Sequence, residues 1–144
     1  MESRRRFPGW RKQTFFTGKE GFAEGRAEWA RKFETLSREG TAPWERTMLL
    51  QALRIGELSI SAIQAEPFVE TGMAIRDRSP FAHSIVLGYT NGCLGYLPTA
   101  EAYPEGGYEV RESCVYYDTL MFSPDAEGIV VAKSIDLLNR LHSK

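Results

Sequence analysis

The chain has 144 residues, a hydrophobic fraction of 42% and a formal net charge of −1. This length fits one domain with an ordinary buried core, and the near-zero charge gives the whole molecule no electrostatic reason to bind nucleic acid or a membrane surface. Cys93 and Cys114 form neither a disulfide framework nor a metal-ligand spacing, so we expect two reduced thiols. No apolar run suits a transmembrane segment, and the basic N-terminus lacks the apolar stretch of a secretory signal. We therefore expect the chain as written to be cytoplasmic.

The first segment, residues 1–17, has no clear periodicity and is strongly basic. Its basic side chains are Arg4, Arg5, Arg6, Arg11 and Lys12. We interpret it as a basic arm that precedes a single α/β domain over residues 18–144. Such an arm could bind the phosphates of a lipid surface or a nucleic acid. Short basic termini are usually only solvated, however, and we expect no nucleic-acid partner.

A helix pattern follows the arm, and two strand patterns follow the helix. Residues 20–39 have the spacing of an amphipathic helix, and Gly40 is a natural C-terminal stop for it. Residues 47–54 and 58–65 alternate as strands do, and the glycine turn between them predicts a β-hairpin. The apolar stripe of the predicted helix consists of Phe22, Trp29, Phe33 and Leu36.

The hairpin leads into a strand–helix–strand unit. Pro67 suits the first turn of a helix, where its missing N–H costs nothing, and residues 83–89 have the composition of a third strand. A unit of this kind implies a right-handed parallel crossover. The predicted fold is therefore α/β: a small mixed sheet in which a β-hairpin leads into a βαβ unit, with N- and C-terminal helices packed on it.

The remainder of the chain divides into a loop region and a last helix. Residues 90–119 are rich in Gly, Pro and Tyr, and a loop this long in a compact domain is often functional. Ser123 is placed to cap the last helix, with Pro124 at its first position.

Two candidate functional residues follow neighbouring predicted strands directly. Glu66 comes immediately after the second strand of the hairpin, and Tyr96 lies just beyond the third strand. Ligands of parallel α/β sheets collect beyond the carboxyl ends of strands, where a carboxylate can bind a cation or act as a base and a phenol can ligate a cation that lowers its pKa. Glu66 could instead serve only the N-terminus of the following helix, and Tyr96 could be a half-buried aromatic.

A third candidate lies in the sequence Gly106-Gly107-Tyr108-Glu109. The two glycines permit backbone shapes that bring a ligand close, so Tyr108 could donate a hydrogen bond in a site; it could equally be a surface tyrosine at a plain turn.

His83 begins the third strand and should lie about 20 Å from its far end, while His142 suits the last turn of the final helix. We interpret both histidines as structural.

The run over residues 53–109 resembles the end of the catalytic domain of the neutral/alkaline (non-lysosomal) ceramidases, especially their shorter bacterial relatives. The resemblance rests on the sequence LRIGEL at residues 53–58, on Ala65-Glu66, on the stretch from Asn91 to Tyr96, and on the GGYEV run at 106–110. Gly72, Ile75 and Arg76 support it. These motifs cover about two-fifths of the chain.

The resemblance implies a zinc-dependent hydrolase of N-acyl sphingoid lipids. The family holds zinc with two histidines, one glutamate and one tyrosine, and the zinc-bound water attacks the lipid amide. The glutamate matches Glu66 and the tyrosine matches Tyr96, while a further family tyrosine that stabilises the reacting carbonyl matches Tyr108. The resemblance thus implies Glu66 and Tyr96 as metal ligands and Tyr108 as a catalytic residue.

The family's two histidines and its catalytic serine lie upstream, in a segment that this sequence does not contain. Zinc sites need four donors, or three and a water, and Cys93 could add at most a thiolate. We therefore expect the C-terminal portion of a ceramidase-like amidohydrolase that is inactive alone and takes up zinc only with ligands from another segment or chain.

Such a fragment implies a companion chain with the N-terminal half, an N-acyl lipid substrate by resemblance, and possible self-association through surface that the missing half covers. The resemblance implies that full-length relatives are secreted. Two alternatives stay open: a non-catalytic α/β domain that binds a small polar ligand or a partner protein, and a surface-binding module that uses the basic arm.

Overall fold

The structure is a computed structural model that describes residues 18–41 and 45–143. The predicted basic arm lies outside the described residues. The strands are β1 (Leu50–Ile55), β2 (Leu58–Ile63), β3 (Glu66–Pro67), β4 (His83–Leu87) and β5 (Tyr96–Leu97). The helices are α1 (Gly18–Arg38), α2 (Val69–Asp77), α3 (Ala102–Glu105), a π-helix (Tyr108–Glu112), α4 (Ser113–Tyr116) and α5 (Ala126–His142).

The main sheet has three strands in the order β1-β2-β4. β1 and β2 are antiparallel and form the predicted hairpin, whose turn contains Gly56 at a φ of 61°. β2 and β4 are parallel, with α2 as the crossover between them. The predicted α/β fold, with a hairpin leading into a βαβ unit, is confirmed.

The core lies between this sheet and the helices α2 and α5. Ile63 of the sheet, Ile75 of α2 and Leu138 of α5 have no exposed surface. Burial of a side chain of this size stabilises the fold by roughly 1.5–3 kcal/mol relative to exposure. The core therefore fixes β2 against both helices, and β2 leads directly into the candidate site.

The segment after β2 differs from the prediction. Pro67 does not begin a helix but belongs to β3, which pairs in parallel with β5, and α2 begins two residues later at Val69. The main-chain N–H groups of Glu66 and Phe68 donate to Gly95 (2.9 Å) and Leu97 (3.3 Å). Because the N–H of the residue between them is not needed for this pairing, proline is tolerated in the strand.

Residues 90–119 also differ from the predicted long loop. They contain β5, α3, the π-helix and α4, separated by glycines such as Gly95 (φ 110°) and Gly107 (φ 93°). The helix α1 packs on this region: the Phe22 ring stacks on Tyr116 at 5.5 Å, and Trp29 Nε1 donates to the Thr119 carbonyl at 2.8 Å. These contacts give the region an ordered framework.

The last helix begins at Ala126, later than predicted. Its N-cap is Asp125, which makes no side-chain capping bond. Ser123 acts through its backbone instead, because its carbonyl accepts a hydrogen bond from the Ala126 N–H at 3.0 Å.

Candidate functional site

Glu66 and Tyr96 are direct neighbours across the β3–β5 pair. They are register partners in the parallel ladder, and the Glu66 N–H donates to the carbonyl of Gly95, the residue before Tyr96. Side chains of partnered residues lie on one side of a sheet. The structure thus brings together the carboxylate and the phenol that lie thirty positions apart in the sequence.

Two further tyrosines, which the sequence analysis missed, adjoin the Glu66 carboxylate. The Tyr117 hydroxyl, just after α4, donates to Glu66 Oε2 at 3.0 Å. Tyr89 follows β4 with a left-handed backbone (φ 55°), a conformation that costs free energy in a non-glycine residue, and its phenol lies close enough to the Glu66 carboxylate for that group to raise its pKa. Glu66 is therefore surrounded by phenols on neighbouring elements.

The negative charge of Glu66 governs the ionisation of these phenols. Hydrogen bonding to Glu66 is the main cause that raises the pKa of Tyr89 to about 12, and it is also the main cause that raises the pKa of Tyr96. Burial, followed by hydrogen bonds with Cys93 and Glu66, raises the pKa of Tyr117. All three phenols are protonated donors at neutral pH.

Tyr108 begins the π-helix and reaches the same cluster through its ring. Its ring packs edge-to-face on Tyr96 at 5.9 Å, and Tyr96 packs edge-to-face on Tyr117 at 6.2 Å. Gly107, with a φ of 93°, turns the chain immediately before it. Burial is the first cause that raises the pKa of Tyr108, and 42% of the residue is exposed. Tyr108 is therefore a neutral phenol beside the Glu66–Tyr96 pair and accessible to solvent.

Both histidines lie away from this cluster, as predicted. His83 pairs with Leu58 at the start of β2, at the end of that strand away from Glu66. His142 packs edge-on against Phe81 at 5.1 Å. Cys93 and Cys114 are both free thiols, as expected.

The donors at Glu66 do not by themselves fit a zinc ion. A carboxylate and a phenol are both acceptable oxygen donors, but zinc needs four ligands or three and a water. Within residues 18–41 and 45–143, no three His, Cys, Asp or Glu side chains are grouped so that they could hold a metal ion. The raised pKa of Tyr96 also keeps its proton in place at neutral pH unless a cation displaces it.

Comparison with solved structures finds a similar fold in a ceramidase. The chain aligns with a ceramidase complexed with C2 at a TM-score of 0.54 and 25% identity, over 65% of this chain. The predicted resemblance to the ceramidases is confirmed. The neutral ceramidase from Pseudomonas aeruginosa aligns over 70% of this chain and 16% of its own, at a TM-score of 0.49 and 24% identity. No protein-family model and no curated protein matches.

The alignment is partial on the ceramidase side. This chain spans 15% of the length of the ceramidase complexed with C2. Among the described residues, no helix is long and apolar enough to cross a membrane.

Proposed function

We propose that this chain supplies one half of a ceramidase-like zinc amidohydrolase site. In this proposal, Glu66 and Tyr96 are two of the metal ligands, and two histidines come from another segment or from a companion chain. The observation that carries the proposal is the register pairing of Glu66 with Tyr96 in a fold that aligns with a ceramidase. The chain alone is then inactive, because the described residues provide too few donors.

Tyr108 acts on the substrate in this proposal. The reaction is hydrolysis of an amide, whose carbonyl oxygen gains negative charge in the transition state. Burial raises the pKa of Tyr108, so its phenol keeps a proton to donate to that oxygen. Its position beside Tyr96 supports this role. The bound zinc ion would supply Lewis-acid activation of water at neutral pH.

A partly apolar groove supports a lipid substrate. The groove lies between α2 and β4, has a volume of about 470 Å³ and is lined in part by Tyr89, which interacts with Glu66. Its lining combines the apolar side chains of Phe68, Val69, Met73 and Val86 with the polar side chains of Arg76 and Ser84. Since apolar surface favours hydrocarbon over water, the groove can receive the acyl or sphingoid chain of an N-acyl lipid whose amide lies at the Glu66 cluster.

Cobalt(II) spectroscopy with imidazole tests the proposed half-site. Imidazole stands in for the missing histidine side chains, and cobalt(II) stands in for zinc. We expect the isolated chain to purify without stoichiometric zinc and to give a tetrahedral cobalt spectrum with a phenolate band only when imidazole is added. Glu66→Gln and Tyr96→Phe should each abolish that spectrum, whereas Glu109→Gln, a carboxylate in the neighbouring cleft, should keep it.

Two results would contradict the proposal. The first is a cobalt spectrum that Glu66→Gln leaves unchanged. The second is tight, stoichiometric zinc in the isolated chain that Glu66→Ala removes, because it would mean that the site is complete without added imidazole.

One observation favours the alternative of a non-catalytic α/β domain. The Glu66 carboxylate already accepts a hydrogen bond from Tyr117 and adjoins the phenols of Tyr89 and Tyr96, so the fold satisfies it without a metal. In that case Glu66 organises the tyrosines, and no metal spectrum appears at any imidazole concentration.

A further inference from the structure

The Glu66 carboxylate carries a negative charge that no neighbouring basic residue balances. Within the part of the chain that the structure describes, no Lys, Arg or His forms an ion pair with it. Arg46 donates instead to the Leu94 carbonyl at 3.0 Å and to the Thr119 hydroxyl. Glu66 is half-buried where β3 pairs with β5, and charges withdrawn from water are normally paired with an opposite charge. The site therefore favours a bound cation.

Tyrosine rings adjoin this carboxylate from several elements. Tyr96 is the register partner of Glu66, and the Tyr117 hydroxyl donates to its Oε2 at 3.0 Å. The Tyr96 ring lies nearly perpendicular to the rings of Tyr108 (79°) and Tyr117 (83°). Tyr89 is 57% exposed and Tyr108 is 42% exposed, so a ligand in solution can reach these rings. Because ring faces attract cations, clusters of aromatic rings are used to recognise organic ammonium groups.

The hydrogen-bonding capacity of these groups also fits an ammonium ion. A carboxylate has about four lone-pair sites, and Tyr117 occupies one of those on Glu66. A neutral phenol that donates its proton keeps oxygen lone pairs for a further donor. An alkylammonium group brings three N–H donors and no acceptor, so Glu66 and the phenol oxygens can accept all three. A zinc ion, in contrast, needs more ligands than the described residues group together.

The groove between α2 and β4 adjoins the same carboxylate. Pro67, which directly follows Glu66, lines this groove together with Tyr89. A ligand whose ammonium group lies at Glu66 can therefore place a hydrocarbon chain in the groove, where contact with apolar side chains removes it from water. The apolar side chains of the groove are Phe68, Val69, Met73 and Val86.

We propose that the Glu66–tyrosine cluster, which consists of Glu66, Tyr89, Tyr96, Tyr108 and Tyr117, binds an organic ammonium group whose hydrocarbon chain lies in the α2–β4 groove. The ligand class is a long-chain amine in its protonated form. Glu66 supplies the opposite charge, and the tyrosines supply ring faces and oxygen acceptors. This proposal goes beyond the hydrolase proposal and needs neither zinc nor a companion chain, so the two can fail separately.

Isothermal titration calorimetry of the full chain with decylamine, in the presence of EDTA, tests the proposal without any metal. We expect one decylamine to bind per chain. 1-Decanol, which has the same chain length and no charge, should bind about tenfold more weakly or less, because it lacks the charge-assisted hydrogen bonds and the cation–π contacts.

Glu66→Gln should weaken decylamine binding by about tenfold or more, because it removes the opposite charge. Glu70→Gln is the matched control. It removes the same charge from an exposed residue of α2 that does not line the groove, and it should bind decylamine as the unmodified chain does. Circular dichroism checks that both variants are folded.

Three results would overturn the proposal: no binding of decylamine, equal affinity for decylamine and 1-decanol, or an equal effect of Glu66→Gln and Glu70→Gln. The comparison of the two ligands uses the unmodified chain, so it stands even where a variant fails to fold. Decylamine binding without the cobalt spectrum would support this proposal and contradict the hydrolase proposal. The cobalt spectrum without decylamine binding would do the reverse.

Discussion

At the scale of single residues, the organising group is the Glu66 carboxylate. Its charge and hydrogen bonds raise the pKa of the phenols of Tyr89 and Tyr96 and contribute to that of Tyr117. A phenol titrates near pH 10 when unfolded, so the folded state holds these protons more tightly than the unfolded state does. The stability that results is fully present below about pH 10 and is lost as the pH rises towards the folded pKa of about 12 for Tyr89.

We predict that Glu66→Gln flattens this alkaline loss of stability. Without the carboxylate charge, the folded pKa values move back towards 10, and the free energy of unfolding of the variant should fall less steeply between about pH 10 and 12. Urea denaturation over this pH range measures the difference from the unmodified chain. Glu57→Gln, in the hairpin turn, is the control and should keep the original slope; an equal slope for Glu66→Gln would contradict the account.

The sequence predicted part of this cluster and missed part of it. Glu66 and Tyr96 were found because each lies near the carboxyl end of a predicted strand. Tyr89 ends the predicted third strand and meets the same criterion, so it could have been found. Tyr117 could not, because its contact with Glu66 depends on where α4 lies, and no periodicity in the sequence predicts a four-residue helix.

At the scale of elements, Gly88 joins β4 to the short β3–β5 sheet. A Cβ at this position would meet Pro67 Cδ at 2.8 Å and the Ala65 carbonyl oxygen at 3.2 Å. Neither atom is the free end of a flexible side chain. The close approach of residue 88 to Pro67 and Ala65 therefore requires glycine. This approach holds Tyr89, the next residue, beside Glu66.

We predict that Gly88→Ala destabilises the fold by about 1–3 kcal/mol, as overpacking does. Gly128→Ala is the matched control, because a Cβ there has no heavy atom within 4 Å and the residue lies in α5. It should stabilise the chain by about 0.5–1 kcal/mol through helix propensity. Thermal or urea denaturation measures both changes. A Gly88→Ala variant with an unchanged free energy of unfolding would contradict the close approach of residue 88 to Pro67 and Ala65.

The element boundaries that the sequence missed have a common cause. β3 and β5 are two residues long, too short for any hydrophobic alternation, and they exist because the main chains of Glu66 and Phe68 bond to those of Gly95 and Leu97. The longer elements, such as β2 and α5, were predicted because their apolar residues repeat over several turns or pleats.

At the scale of the whole molecule, two observations fit the proposal that this chain supplies only part of a site. The chain spans 15% of the length of a ceramidase that it aligns with, and its sheet presents the same apolar character to solvent as to its own core. The hairpin and βαβ unit could be predicted from strand patterns in the sequence. The exposure of the sheet face that contains Leu53, Ile55 and Ile85 could not, because a strand that is apolar on both sides gives no indication of which side is covered.

The central claim is that Glu66 and Tyr96 together form half of a metal site. Its most direct test is anomalous X-ray scattering from crystals of the chain soaked with zinc and imidazole. The account predicts a zinc peak bonded, at about 2.0–2.2 Å, to a Glu66 carboxylate oxygen and to the Tyr96 hydroxyl oxygen. Zinc bound elsewhere, for example at His83, or Glu66 and Tyr96 side chains on opposite sides of the β3–β5 sheet, would contradict it.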